Sequence, residues 1–164
     1  MFIFCSAMNP CDENNLPRRL RRLNRIFEAF PLYFLTLCTE NRLPVLDNPE
    51  VFARVRSFAE SSMKHYGIYV NSYMLMPDHI HLLVTIRGSS GTTLGVWVKA
   101  FKAVVSLRRF QWQSGFFDHV LRNSESCSEK WEYIRMNPVR AGLVQHPEDW
   151  PYAQQFNQYN GSEL

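Results

Sequence analysis

The sequence predicts an α+β domain with a ferredoxin-like (RRM-like) antiparallel sheet, in the order β-α-β-β-α-β, followed by a C-terminal helix. Three observations predict this fold. Segments rich in β-branched and aromatic residues alternate with amphipathic segments in that order. Only a Pro77–Asp78 turn separates two of the predicted strands. The chain has 164 residues, enough for one domain with a substantial core.

The first half of the chain supplies a strand, a helix and a second strand. Residues 32–39 are apolar and β-rich, which predicts the first strand. Asn48 and Pro49 predict the start of a helix, because asparagine caps helices and proline is favoured at the first helical position. Gly67 is expected to end this amphipathic helix, and residues 68–76 to form the second strand.

The third strand begins directly after the Pro77–Asp78 turn. Thr92 or Thr93 can cap a second helix, which has an apolar stripe of Leu94, Trp97, Phe101 and Val104. Residues 115–122 predict the fourth strand. The capping-box spacing of Ser126 and Glu129 then predicts a third helix, ended by Asn137–Pro138.

In a sheet of this kind strands one and three are central, and the two crossover helices cover one face. The opposite face is left for the third helix. We expect a flexible N-terminal tail at 1–16, a single domain at 17–150 and a C-terminal tail at 151–164, with irregular structure from Val139 to Leu164.

The composition of the chain excludes several classes of protein and of site. The chain is 46% hydrophobic and 20% charged, with a net charge of +3, which is typical of a globular protein. Its four cysteines form no C-x-x-C pair, which argues against a zinc ribbon or a thioredoxin-like site. No apolar run reaches 18 residues, and the first residues lack the pattern of a signal peptide. We therefore expect a reduced, cytoplasmic protein.

Positive charge is concentrated in two places. Residues 16–25 hold five arginines and no acid: Arg18, Arg19, Arg21, Arg22 and Arg25. On the second helix, Lys99, Lys102 and Arg109 are expected to lie on one exposed face. Each group is either simply solvated or a set of phosphate contacts, and composition alone leaves both open.

His79 and His81 lie at the head of the third strand. Residues two apart on a strand share a face, so both imidazoles would point the same way from a rigid element. A strand can offer two nitrogen ligands to one metal ion in this manner. The alternative is an accidental pair at a partly exposed strand end.

Tyr133 is predicted to lie beside the apolar stripe of the third helix, with Lys130 and Asn137 as neighbours at i−3 and i+4. Most tyrosines at a helix edge only pack. Together with the histidine pair, however, a metal between the two imidazoles and the Asn137 carboxamide could polarise a phosphodiester. The Tyr133 phenol could then attack the phosphorus.

These residues resemble the HUH endonucleases, and within them the single-tyrosine transposases of the REP-associated kind. The similarity spans about residues 16–156 and is carried by these motifs: Met76-Pro77-Asp78-His79-Ile80-His81, Trp112-Gln113, Phe117-Asp118-His119, Arg122, the block from Glu132 to Val144 with its Tyr-x-x-x-Asn-Pro-Val core, and Asp149-Trp150-Pro151.

The resemblance implies that His79 and His81 are metal ligands, with Asn137 in the place of the third, amide ligand, and that Tyr133 is the nucleophile. It implies Mg²⁺ or Mn²⁺ as the cofactor, since imidazole and oxygen ligands suit these ions. The substrate would be single-stranded DNA beside a hairpin of a repeated palindrome, cut through a 5′-phosphotyrosine by a monomer or homodimer.

Phosphates would be contacted by the arginine arm, the basic face of the second helix, Arg122 and Arg140. Two other functions stay open from sequence. One is a relative that binds hairpin DNA without cutting it. The other is an unrelated metal hydrolase of small phosphoesters, which would not need an arginine arm.

Overall fold

The computed structural model describes residues 30–88, 91–106, 109–121 and 127–156. Its main elements are β1 (Leu32–Cys38), α1 (Pro49–Tyr66), β2 (Ile68–Leu75), β3 (His79–Ile86), α2 (Leu94–Val105), β4 (Phe117–Val120), α3 (Cys127–Arg135), α4 (Asn137–Arg140) and β5 (Ala153–Gln155). The predicted arginine arm, the N-terminal tail, Arg122 and the Ser126 cap lie outside the described residues.

The sheet has five strands in the order β4-β1-β3-β2-β5, and all neighbouring pairs are antiparallel. β1 and β3 are central, so the predicted ferredoxin-like arrangement is confirmed. β5 extends the sheet beyond β2, where the sequence predicts irregular structure, so that prediction is wrong for residues 153–155.

The signals at both ends of α1 act as the sequence predicts. The Asn48 side-chain oxygen accepts a hydrogen bond from the Val51 amide at 3.0 Å, which satisfies one of the unpaired donors of the first turn. At the other end Gly67 takes φ = 64°, a left-handed conformation that costs glycine little. Its amide donates to the Met63 carbonyl and closes the helix.

The sheet separates two apolar layers because strand residues alternate between faces. On one face, α1 and α2 pack on Ile80, Leu82 and Val84 of β3. On the other face, α3 packs on Leu83 of the same strand, next to Phe34 of β1. The third helix thus covers the face to which His79 and His81 belong, as the predicted topology requires.

The predicted basic face of α2 does not exist. The helix ends at Val105, so Arg109 lies in a turn beyond it, with its guanidinium 2.7 Å from Glu50. Lys99 is exposed, but Lys102 is half-buried. The apolar stripe is also shifted at its end, because Val105 is buried and Val104 is 44% exposed.

Lys102 binds the loop that precedes β4 through two hydrogen bonds. Its Nζ donates to the carbonyls of Gln113 at 2.8 Å and Gly115 at 2.5 Å. Burial lowers the pKa of this ammonium to about 8. The side chain is therefore committed to the segment that leads into β4 and is not available for phosphates.

Replacing Lys102 by Met should lower the free energy of unfolding by about 1–2 kcal/mol, because hydrogen bonds from a charged donor to two carbonyls are lost. Lys99→Met, at an exposed position of the same helix, is the matched control and should change little. The native pKa lies below the unfolded value, so the wild-type advantage over Lys102→Met should grow as pH rises from about 8 toward 10.5. Urea unfolding at several pH values measures this, and equal stability of the three proteins would contradict it.

The C-terminal segment is anchored to the sheet. The Trp150 indole donates to the Leu75 carbonyl at 2.8 Å, and the Leu75 amide donates to the Tyr152 carbonyl at 2.9 Å. Cys127 is a buried free thiol. Among the described helices, none has the length and apolarity needed to cross a membrane.

Candidate active site

The turn before β3 is held rigidly by the chain that follows β1. The Pro77 carbonyl accepts hydrogen bonds from the amides of Val45 and Leu46 at 2.8 and 2.9 Å. The Asp78 carbonyl accepts from the amide and the hydroxyl of Thr39, both at 3.0 Å. The strand that carries the histidines therefore starts from a fixed point.

His81 lies in the buried part of the site and is only 6% exposed. Its Nδ1 shares a hydrogen bond of 3.0 Å with Oγ1 of Thr36, the residue paired with it on β1. Its ring also stacks on Phe34, with 5.2 Å between ring centroids. When Nδ1–H donates to the threonine, the lone pair of Nε2 remains for a metal.

His79 is oriented by a carboxylate. Its Nδ1 lies 2.6 Å from Asp78 Oδ1, and the other carboxylate oxygen lies 2.7 Å from Arg42 Nε. Burial alone would raise the pKa of Asp78, but the hydrogen bond and charge of His79, with the charge of Arg42, lower it below its usual value. The carboxylate is thus ionised and can hold the His79 tautomer that presents Nε2.

Arg42 reaches Asp78 from an uncommon backbone conformation. It has φ = 55°, in the left-handed region that non-glycine residues seldom occupy. Its Nη1 also lies 3.2 Å from Cys38 Sγ. The strained backbone and the two side-chain contacts place a cation directly behind the histidine–carboxylate pair.

The donor set fits a divalent metal. The two imidazole centroids are 4.8 Å apart on one face of one strand, and each Nδ1 already has a partner. This is the usual arrangement of metal-binding histidines, in which the second ring nitrogen fixes the tautomer. Within the described residues no three His, Cys, Asp or Glu side chains form a metal-binding group, so further ligands would have to be amide, water or substrate oxygens.

Burial holds the pKa of His81 well below its ordinary value, and the nearby His79, Lys130, Arg140 and Arg42 lower it further. The imidazole is neutral at pH 7, which is the form that binds metals. Lys130, Arg140 and Arg42 also give this face of the sheet a positive character.

The helix above the histidines presents Tyr133 to solvent. Cys127, Trp131 and Ile134 of α3 are buried against the sheet, whereas Tyr133 is 58% exposed. The prediction that this phenol lies off the apolar stripe is confirmed. Its hydroxyl is available for chemistry because the core does not use it.

Asn137 differs from the expected arrangement in one respect. α3 ends at Arg135, and Asn137 begins the separate helix α4. The guanidinium of Arg140 donates from Nη2 to Asn137 Oδ1 and, at 2.7 Å, to the Tyr133 carbonyl. Its Cζ lies 4.5 Å from the Tyr133 ring centroid. In this structure the carboxamide oxygen is therefore occupied by Arg140.

The structure brings five of the predicted site residues to one face: the nucleophile Tyr133, the metal ligands His79, His81 and Asn137, and the DNA-binding Arg140. Lys99 and Lys102 belong to a helix on the opposite face, and Arg109 is paired with Glu50 there. The sequence did not predict the residues that support the site: Phe34, Thr36 and Arg42. It also did not predict that the Asp78 carboxylate orients His79. Thr36 and His81 are 45 positions apart, and only the strand register connects them.

Removing the Thr36 hydroxyl should weaken the metal site without removing a ligand. We expect Thr36→Val to lower metal affinity about 10–100-fold, the usual cost of losing a partner of a metal-binding histidine. Thr36→Ser retains the hydroxyl and should recover most of that loss. Calorimetric titration of the three proteins with Mn²⁺ is the measurement, and equal affinities would show that the Thr36 contact does not tune His81.

Fold and site together define a class of protein, a ferredoxin-like domain that presents two histidines from a central strand beneath a tyrosine-bearing helix. Residues 32–137 match the family described as "Transposase IS200 like". The match covers more than half of the chain. The chain belongs to the IS200-like transposase family.

Two curated relatives are REP-associated tyrosine transposases by name. A Haemophilus influenzae protein, provisionally so named, is 25% identical over 146 residues, covering 79% of this chain and 82% of its own length. An Escherichia coli K12 protein is 29% identical over 87 residues, covering 51% of this chain and 52% of its own. The resemblance found in the sequence is thereby confirmed.

A solved structure of a REP-associated tyrosine transposase bound to a REP hairpin superposes with a TM-score of 0.62. It is 23% identical to this chain, and the match covers 82% of each. This likeness establishes the shared fold.

Proposed function

We propose that this protein is a metal-dependent, single-strand DNA endonuclease and strand transferase of the REP-associated kind. One observation carries the proposal. Two histidines with their Nδ1 atoms held by Thr36 and Asp78 lie on the sheet face that is covered by the helix of the exposed Tyr133. A phenol beside a metal-binding pair is a suitable arrangement for nucleophilic attack on a phosphodiester.

In the proposed reaction the Tyr133 hydroxyl attacks the phosphorus. The phenol loses its proton, the new bond joins its oxygen to the 5′ phosphate, and the bond to the 3′ oxygen breaks. That oxygen takes up a proton and leaves as a free 3′-OH. Strand transfer is the reverse step with a different 3′-OH.

His79 and His81 would hold Mg²⁺ or Mn²⁺, which supplies Lewis-acid polarisation of the phosphate when bound. The protein fixes both rings through Thr36 and Asp78 and keeps His81 neutral. Arg140 holds the end of α3 by donating to the Tyr133 carbonyl, which orients the tyrosine. Asn137 is proposed as the amide ligand once Arg140 releases its oxygen.

The DNA partner is proposed to be a hairpin of a repeated palindrome with a single-stranded flank. The basis is the family, together with the structural relative that is bound to a REP hairpin. The arginines at 18, 19, 21 and 22, with Arg122, would contact phosphates. Arg140 lies on the catalytic face and would contact the strand near the cut.

Labelled single-stranded oligonucleotides test the proposal. They would carry each imperfect palindrome that sequencing of the DNA on both sides of the gene reveals, and be incubated with the protein and Mn²⁺. We expect a denaturation-resistant adduct on the 5′-phosphate fragment and a free 3′-OH on the other. Cleavage without an adduct would instead indicate a water-activating hydrolase.

A hairpin-binding protein that does not cut is the second candidate. The contact of Arg140 with the Asn137 oxygen favours it, because an amide committed to an arginine cannot also complete a metal site. Tight hairpin binding with neither adduct nor cleavage at any Mn²⁺ or Mg²⁺ concentration would support this second function.

A further inference from the structure

Lys130 occupies a position that the proposed mechanism does not yet use. It lies on α3, one turn before Tyr133. Its Nζ is 4.6 Å from the centroid of the Phe34 ring and 5.4 Å from that of the Tyr133 ring. Because Phe34 also stacks on His81, this ammonium lies between the tyrosine and the ring that packs on the histidine.

No anionic side chain of the described residues pairs with this ammonium. Among the described residues Lys130 makes these two ring contacts and has no hydrogen bond or ion pair. Other cations of the same face are engaged: Arg42 with Asp78, Arg135 with Glu132, and Arg140 with Asn137.

Two aromatic faces attract a cation but accept no conventional hydrogen bond from it. The three N–H donors of Lys130 are therefore available to an incoming oxygen. The rings fix the position of the ammonium, so binding an anion there would cost little side-chain entropy.

We propose that Lys130 is a catalytic residue that binds a non-bridging oxygen of the scissile phosphate. The inference rests on the proposed function, because it assumes that Tyr133 is the nucleophile. A phosphate within reach of the Tyr133 hydroxyl would lie next to the ring that Lys130 contacts. Lys130 transfers no proton in this role, and its charge offsets the negative charge that builds on the phosphate oxygens during attack.

The contact can be tested by binding, without cleavage. All proteins carry Tyr133→Phe, which keeps the ring that Lys130 contacts. The probe is the single-stranded flank of the palindrome oligonucleotide, with one phosphate at a time replaced by an uncharged methylphosphonate. Affinities are measured with Lys130 intact, with Lys130→Met, and with Lys64→Met, a control on the opposite face of the sheet.

We expect Lys130→Met to bind the unmodified flank about tenfold more weakly, the effect of losing one charge-assisted hydrogen bond. Its log–log salt slope should fall by about 0.7, the contribution of one single-strand phosphate. At one position of the scan the methylphosphonate should lower the DNA affinity of the protein that retains Lys130 but not that of Lys130→Met. An equal penalty at every position in both proteins would overturn the proposal, and Lys64→Met should behave like the Lys130 protein.

Adduct formation with Tyr133 intact separates this inference from the proposed function. Lys130→Met should form the adduct about 10²–10³-fold more slowly, as when one charge-stabilising donor is removed. Lys130→Arg should recover part of that rate. The adduct should map to the phosphate identified by the scan. Unchanged adduct formation in Lys130→Met, or an adduct at a different phosphate, would overturn the role of Lys130.

If the wild-type protein forms no adduct at all, the proposed function fails. The binding scan still decides the phosphate contact in that case. A phosphate coupled to Lys130 would then support anion binding beside Tyr133, and the absence of any coupled phosphate would remove the inference as well.

Discussion

Tyr133→Phe should abolish the covalent protein–DNA adduct. The substitution removes only the hydroxyl oxygen, and no other atom of the side chain can attack phosphorus. Catalysis by residues that act as one unit is lost when any member is removed, so the remaining rate should be at least about 10³-fold lower. The measurement is the labelled oligonucleotide with Mn²⁺, analysed on a denaturing gel.

The fold and the DNA binding should survive this change. Tyr133 is 58% exposed and its hydroxyl is not part of the core, so the free energy of unfolding should move by less than about 0.5 kcal/mol. Hairpin affinity should stay within about tenfold of the wild type, because one hydrogen bond contributes roughly 0.5–1.5 kcal/mol net. The contacts of Lys130 and Arg140 with the ring should also persist in the variant, since the substitution retains the six-membered ring.

Tyr66→Phe is the matched control, since Tyr66 lies on α1 and packs against Phe58 on the opposite side of the sheet. It should form the adduct at the wild-type rate. An adduct of wild-type intensity in the Tyr133→Phe lane would show that a different residue is the nucleophile. Continued cleavage without any adduct would instead favour water as the attacking group.

Local patterns predicted much of the fold and the centre of the site. Strand alternation placed both histidines on one face, and the element order left that face to the third helix. These features depend on the two-residue period of a strand and on short connections, both of which can be read from neighbouring residues. The exposed position of Tyr133 followed from the helical period in the same way.

The surroundings of the histidines could not be predicted, because they depend on long-range register. Thr36 contacts His81 only because β1 and β3 pair with these residues opposite each other. Arg42 reaches Asp78 only through a left-handed backbone conformation. No short window of sequence contains either relationship.

The prediction of a basic face on α2 is wrong for a related reason. A helical wheel assumes a continuous helix in water, whereas α2 ends at Val105 and the following loop returns to it. That loop supplies the carbonyls that bind Lys102, and Glu50 of α1 binds Arg109. The surroundings of Asn137 were also not predictable from a continuous helical wheel. The helix is interrupted at Met136, and Arg140 donates a hydrogen bond to the Asn137 amide oxygen.

His81→Ala and His79→Ala should each abolish cleavage while most of the DNA binding persists. Each removes one of the two proposed imidazole ligands, and metal stabilisation of the phosphate is worth several kcal/mol, or about 10³-fold or more in rate. Affinity for DNA comes mainly from phosphate contacts elsewhere, so it should change little.

The two variants should differ in stability. His81 is buried, and its loss leaves a cavity beside Phe34 and removes the hydrogen bond to Thr36, so we expect a cost of about 1–3 kcal/mol. His79 is more exposed, so His79→Ala should lower the free energy of unfolding by less than His81→Ala does. Cleavage must therefore be measured well below the unfolding temperature of His81→Ala, with its folding checked by circular dichroism.

His146→Ala, at an exposed position, is the control and should cleave like the wild type. Chelation provides a test that does not alter the protein: EDTA should stop adduct formation by the wild type, and excess Mn²⁺ should restore it. Adduct formation at the wild-type rate in EDTA would exclude the metal mechanism. In that case the cations of this face, Lys130 and Arg140 with Arg42 behind His79, would have to stabilise the phosphate without a metal.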